Sequence, residues 1–145
     1  MTVRAASVAD LPAIRGLLSD AGLPLDGIDE AFEHGVVAAE AGGAVVGAAA
    51  VERYGSDGLL RSVVVAPGLR GTGLGHGLVA ASEALARDLD IRDLYLLTET
   101  AGEWFAGLGY EPVDRAAAPA GIAGSWEFRF ACVERGVLMR RRRGA

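Results

Sequence analysis

Chemistry concentrates first in the segment Val63-Val-Val-Ala-Pro-Gly-Leu-Arg70-Gly71-Thr72-Gly73-Leu74-Gly75-His76. An apolar, β-branched run reads as a strand buried on both faces. It ends at Pro67, passes through a glycine-rich loop over 68–75, and feeds an amphipathic helix over 76–88. Glycines let successive backbone N–H groups converge on one point. The start of a helix adds about half a positive charge there. Arg70 supplies a guanidinium for phosphate oxygens. Such a loop suits a pyrophosphate. It lacks the Gly-Lys-Ser/Thr of a Walker loop, and His76 stands where a dinucleotide fingerprint needs its third glycine. A second marker is Arg61, at the start of the same apolar strand. A buried arginine is costly unless its fork meets a carboxylate or another anion. Glu52, or a carboxylate or oxyanion on a bound molecule, would satisfy it equally.

Composition narrows the classes. The chain has 145 residues, 51% hydrophobic and 23% charged, the length and balance of one globular domain over 1–145. All 14 basic residues are arginine, and Lys, Asn and Gln are absent. Without lysine there is no Schiff-base chemistry. A net charge of -5 argues against a nucleic-acid partner. Cys132 is the single cysteine, which excludes an intrachain disulfide. His34 and His76 lie far apart, so no metal is expected. No apolar run reaches the roughly 18–20 residues of a membrane span, and the first residues lack a signal-peptide core. No membrane partner and a cytoplasmic location are the expectation.

The elements that position these residues follow from periodicity. Residues 2–6 suit a first strand. Ser7-Val-Ala-Asp10 reads as a capping box for a helix carrying Leu11, Ile14, Leu17 and Leu18. A short helix spans 26–34. Strands run from Val36 to Glu40 and from Ala44 to Tyr54, joined by a turn at Ala41-Gly42-Gly43. The central strand is Leu59 to Ala66. After the 76–88 helix come a strand at 94–97, a short helix over 100–107, and a strand after Gly109-Tyr110-Glu111-Pro112. Residues 116–124 read as a loop. Ser125 to Cys132 alternates apolar and polar residues like a half-buried final strand. Arg140 to Arg143 then reads as a basic, solvated C-terminal tail over 140–145.

Arg70-x-x-Gly73-x-Gly75, after Val-x-x-Pro and before an amphipathic helix, resembles the acyl-CoA pyrophosphate loop of the GNAT (GCN5-related) N-acetyltransferases. Trp104-Phe105-Ala-Gly-Leu108-Gly109-Tyr110 is similar to the aromatic pair and Leu-Gly-Tyr of the same family. The resemblance covers nearly the whole chain. It implies an α/β (α+β) GNAT fold: a central mixed sheet of about six to seven strands flanked by about four helices, in the order β-α-α-β-β-β-α-β-α-β-β. Within the family, Glu52-Arg-Tyr54-Gly55, Gly58-Leu-Leu-Arg61-Ser62-Val-Val-Val, Leu94-Tyr-Leu-Leu-Thr98-Glu-Thr100-Ala101 and Glu127-Phe128 look like the arsenic-resistance N-acetyltransferases. Trp104, where that group usually has Phe, departs from it.

The resemblance implies acetyl transfer from acetyl-CoA to the amine of a small, amino-acid-like molecule, including an arsenic-containing or other toxic amino acid. It assigns the cofactor to Val63, Val64 and Val65 through their backbone, and to Arg70, Gly71, Thr72, Gly73, Leu74, Gly75 and His76 around the pyrophosphate. Thr98 or Thr100 replaces the asparagine common in the family, and Phe105 stands where many members carry a proton-donating tyrosine. Direct attack by a neutral amine needs a base, for which Glu52, Glu99 and Glu127 are candidates. Arg61, Ser62 and Thr100 are candidates for holding the acceptor. Family members often dimerise, so a homodimer joins the expectations. The alternatives are a protein or peptide N-acetyltransferase and a non-catalytic acyl-CoA sensor, the latter favoured by Phe105.

Overall fold

The computed structural model describes residues 1–131 and 136–142. Cys132 and Arg143 lie outside the described residues. Seven strands form one mostly antiparallel sheet, with order β1-β2-β3-β4-β5-β7-β6. The strands are β1 (Thr2–Ala5), β2 (Gly35–Ala39), β3 (Val45–Tyr54), β4 (Asp57–Val65), β5 (Asp93–Thr98), β6 (Glu111–Pro112) and β7 (Val137–Arg142). The helices are α1 (Leu11–Asp20), α2 (Ile28–Ala31), α3 (Leu74–Asp88), α4 (Gly102–Ala106), α5 (Ala120–Ala123) and α6 (Trp126–Phe130). None of the described helices is long and apolar enough to cross a membrane. The mixed sheet and its helices are those expected of an α/β GNAT fold.

The chain divides into two compact units. The first comprises Met1–Glu52 and Leu60–Leu85. Here β1 pairs antiparallel with β2, and β2 with β3, with a bulge between Ala38 and Ala39. Every residue of β2 is buried. Ile14 and Leu18 of α1, four residues apart on one helix face, pack with Ile28, Phe32, Val37, Ala48, Ala50 and Val64. Small alanines on β3 let the helices approach the sheet closely. Ahead of α1, Asp10 accepts hydrogen bonds from the Ser7 backbone N–H (2.8 Å) and from both Arg4 Nη atoms (2.8 and 2.9 Å). The capping box expected there is formed.

The second unit comprises Arg53–Leu59 and the described residues from Ala86 onward. The start of β4 pairs parallel with β5 from Asp57↔Asp93 to Leu59↔Tyr95. β7 lies antiparallel to β5 over Asp93↔Arg142 to Thr98↔Val137, and the two-residue β6 joins its other side. Leu59, Tyr95, Ile122 and Leu138 form the core of this unit.

The C-terminal third corrects the expected order. Residues 125–131 are not the final strand: Trp126–Phe130 is α6, and Cys132 lies outside the described residues. Ser125 caps it, its Oγ accepting from the Phe128 N–H at 3.2 Å, and Trp126 stacks on Phe130 one turn later. The loop expected at 116–124 contains α5. The final strand is Val137–Arg142, so Arg140 to Arg142 belong to the sheet and not to a solvated tail. Within β4, Gly58 to Arg61 are buried on both faces as expected, whereas over the valines Val64 is buried and Val63 and Val65 are only half-buried.

Candidate active site

The first unit assembles its polar residues around Arg61, which is 2% exposed. Of the two partners that sequence left open for it, the structure gives Glu52. Arg61 Nη1 donates to Glu52 Oε2 at 3.0 Å. Nη2 donates to the Asp26 carbonyl at 2.8 Å, and Nε donates to Ser62 Oγ at 3.0 Å. These bonds meet the cost of burying the charge. They tie together β3, β4 and the chain entering α2. Gly27 sits at that entry with φ +71, and a Cβ on it would lie 3.5 Å from Arg61 Nη1. Glu52 keeps 17% of its side chain exposed, so the carboxylate that pairs with Arg61 is still reachable from solvent.

Ser62 interrupts β4 in the left-handed region, at φ +59. For a residue with a Cβ this costs about 1–3 kcal/mol, and such strain gathers at functional sites. This φ departs from the extended backbone of the strand on either side of Ser62. Sequence marked Ser62 as a hydroxyl. It carried no signal of this backbone shape, because only glycine announces a positive φ.

Beyond Val65 the chain makes a single turn at Pro67–Leu69, and Thr72 Oγ1 donates to the Leu69 carbonyl at 2.6 Å. Gly71 and Gly73 have φ +81 and +86, with no atom within 4 Å of a Cβ position. Backbone shape, not crowding, therefore demands glycine at both. Helix α3 begins at Leu74, two residues earlier than expected. Leu74, Gly75 and His76 are its first-turn residues, and a helix's first turn points backbone N–H groups outward from its start. With Arg70, Gly71, Gly73 and His76 exposed, the loop fits an approaching pyrophosphate.

The remaining candidates belong to the second unit. Thr98, at the end of β5, accepts from the Ala101 N–H at 2.9 Å and so caps the turn into α4. Glu99 and Thr100 follow it and are exposed. Phe105 is 8% exposed and packs edge-on against Trp104 (centroids 4.8 Å) and Tyr110 (5.7 Å). Glu127 is buried in the first turn of α6. Asp26 and Gly27 were missed by sequence reasoning. Pro24-Leu-Asp-Gly27, a turn pattern before a helix, was their one available signal.

The chain is similar to known proteins. The family model for the acetyltransferase (GNAT) domain matches residues 32–112. The amino-acid acetyltransferase of Mycobacterium tuberculosis is 36% identical over 122 residues, covering 77% of this chain and 69% of that protein. Rv2747 from Mycobacterium tuberculosis, solved in complex with CoA and NLQ, superposes with a TM-score of 0.83 at 26% identity. That match covers 99% of this chain and 100% of the other. N-acetylglutamate synthase from Neisseria gonorrhoeae, complexed with coenzyme A and N-acetyl-glutamate, shares the fold (TM-score 0.83, 22% identity). There the match covers 99% of this chain and 35% of the larger one. The matched region spans the glycine loop after β4 and the start of α3, and this chain belongs to the GNAT acetyltransferase family and is an acyltransferase with acetyl-CoA as its donor.

Proposed function

We propose that the enzyme transfers the acetyl group of acetyl-CoA to the amine of a small, amino-acid-like molecule. The observation that carries this reading is the 36% identity to an amino-acid acetyltransferase. The Glu52–Arg61 pair on β3 and β4 supports it, since it presents one fixed carboxylate at the strained point of β4.

Bound acetyl-CoA supplies the activated thioester. Backbone groups of Val63, Val64 and Val65 hold its arm. The amides from Gly71 to His76, with Arg70 and Thr72, hold its pyrophosphate. Glu52 takes a proton from the incoming ammonium, directly or through a water, leaving the amine neutral for attack. Arg61 orients Glu52. Glu99 is the second candidate base, and the family resemblance assigns Ser62 and Thr100 to the acceptor and Thr98 to the cofactor. Phe105 has no dissociable proton, so no acid is assigned there; the resemblance assigns its ring to the cofactor, while it packs on Trp104 and Tyr110. The arsenic-resistance resemblance adds arsenic-containing and other toxic amino acids to the acceptors.

The test is release of free thiol from acetyl-CoA with a panel of L-amino acids, arsenic-containing amino acids and short peptides, with products identified by mass. N-acetylated amino acids are the expected product. Peptides modified while amino acids remain untouched would make it a protein acetyltransferase. Acetyl-CoA binding without turnover on any amine would make it a sensor. Gly73→Val forces a β-branched residue to φ +86 and is expected to weaken acetyl-CoA binding by about tenfold or more.

A further inference from the structure

The second unit holds a cavity lined by none of the residues assigned above to the transfer reaction. Its volume is about 330 Å³, and Gly109, Glu111, Arg140, Arg141 and Arg142 line it. That size suits a small molecule. We propose that this cavity binds a small oxyanion, a phosphate or a carboxylate, at a site built on β6 and β7.

Arg140 and Arg142 share the lining with one carboxylate, Glu111, in a chain whose net charge is -5. Strand alternation places Arg140 and Arg142 on one face of β7 and Arg141 on the other. Among the described residues, Arg140 and Arg142 form no ion pair and no side-chain hydrogen bond. Asp93 is the register partner of Arg142, and Glu111 that of Arg140, yet neither carboxylate closes on its arginine. Arg140 is moreover half-buried. A half-buried guanidinium with donors unspent, facing a cavity, calls for an acceptor, and an oxyanion supplies several.

Gly109 shapes the same wall. It has φ +97, and a Cβ there would stand 3.4 Å from Arg141 Nε. Glycine therefore permits both the turn into β6 and the close passage of the Arg141 side chain. Glu111 limits the charge the site accepts. It repels a highly charged polyanion and tolerates a ligand with one or two negative charges.

Calorimetry on the full chain tests this with two probes, inorganic phosphate and succinate. Succinate has no amine and cannot serve as an acetyl acceptor. At least one probe is expected to bind with Kd on the order of 1 mM or tighter, and the one that binds fixes the class as phosphate or carboxylate. The double substitution Arg140→Gln/Arg142→Gln should weaken it by about tenfold or more. Glu111→Gln should tighten it several-fold, a gain that misfolding would not produce. Acetyl-CoA affinity should stay unchanged in both variants. The proposal is overturned if neither probe binds, or if the double variant binds as the wild type does. It is equally overturned if acetyl-CoA affinity falls in step, since the arginines would then serve the donor.

Discussion

Arg61 is a charge that β4 buries at its centre, and its value lies in what the fork reaches. A single ammonium cannot meet Glu52, the Asp26 carbonyl and Ser62 Oγ together. Arg61→Lys therefore loosens the chain entering α2 and leaves Glu52 without its orienting partner. In the proposed role Arg61 orients Glu52, so its loss should act through Glu52. Glu52→Gln is expected to lower kcat by about 100-fold or more, with acetyl-CoA binding kept. Arg61→Lys should lower kcat less and raise the acceptor KM, and the double variant should be little worse than Glu52→Gln alone. Additive losses in that cycle would show that Arg61 acts separately, on the acceptor itself. At this scale the sequence was legible in part. An arginine in an apolar run announces that it has a partner, but the partner's identity depends on the β3–β4 register. The left-handed Ser62 was not legible, since serine ordinarily avoids that conformation.

Among the elements, local patterning placed most of the first unit, and failed where two signals competed. Trp126, Phe128 and Phe130 alternate with Glu127 and Arg129, the period of a strand. Five residues are too few for periodicity to decide, and the cap decides instead. Ser125, 3% exposed, donates to the Ile122 carbonyl at 2.6 Å, closing α5, and accepts from Phe128 N–H, opening α6. The true last strand hides behind its arginines. Only Leu138 and Met139, each 1% exposed, carry its core contacts, and long arginine stems can run along a sheet with their heads in water. Arg115 links the two elements, lying 4.3 Å over the Phe128 ring and donating to the carbonyls of Phe128 (3.1 Å) and Gly136 (3.3 Å). Ser125→Ala removes the cap without opening a cavity. It is expected to cost about 1–2 kcal/mol, read as a lower urea midpoint with an unchanged slope. An unchanged midpoint would mean that packing alone holds α6.

For the whole molecule the open question is cooperativity, because a chain read as one domain divides into two compact units. Strands β3 and β4 each contribute residues to both. The one-domain reading therefore expects a single transition. Both tryptophans, Trp104 and Trp126, lie in the second unit, so fluorescence reports on that unit while far-UV circular dichroism reports on both. Asp10 offers a perturbation confined to the first unit. The Arg4 guanidinium, and then the Ser7 backbone N–H, outweigh its burial and hold its carboxyl at about 2, below the ordinary 3.8. A depressed carboxyl stabilises the fold above its unfolded value and loses that contribution as pH falls through its folded one. Asp10→Asn should thus lower stability by about 1–2 kcal/mol at pH 5–7, and the difference from wild type should vanish as pH falls from about 4 to about 2. If the chain unfolds as one body, the tryptophan signal shifts with Asp10→Asn as far as the dichroism does, although Asp10 lies in the other unit. A tryptophan transition that stays in place while the dichroism moves would make the two units independent in folding.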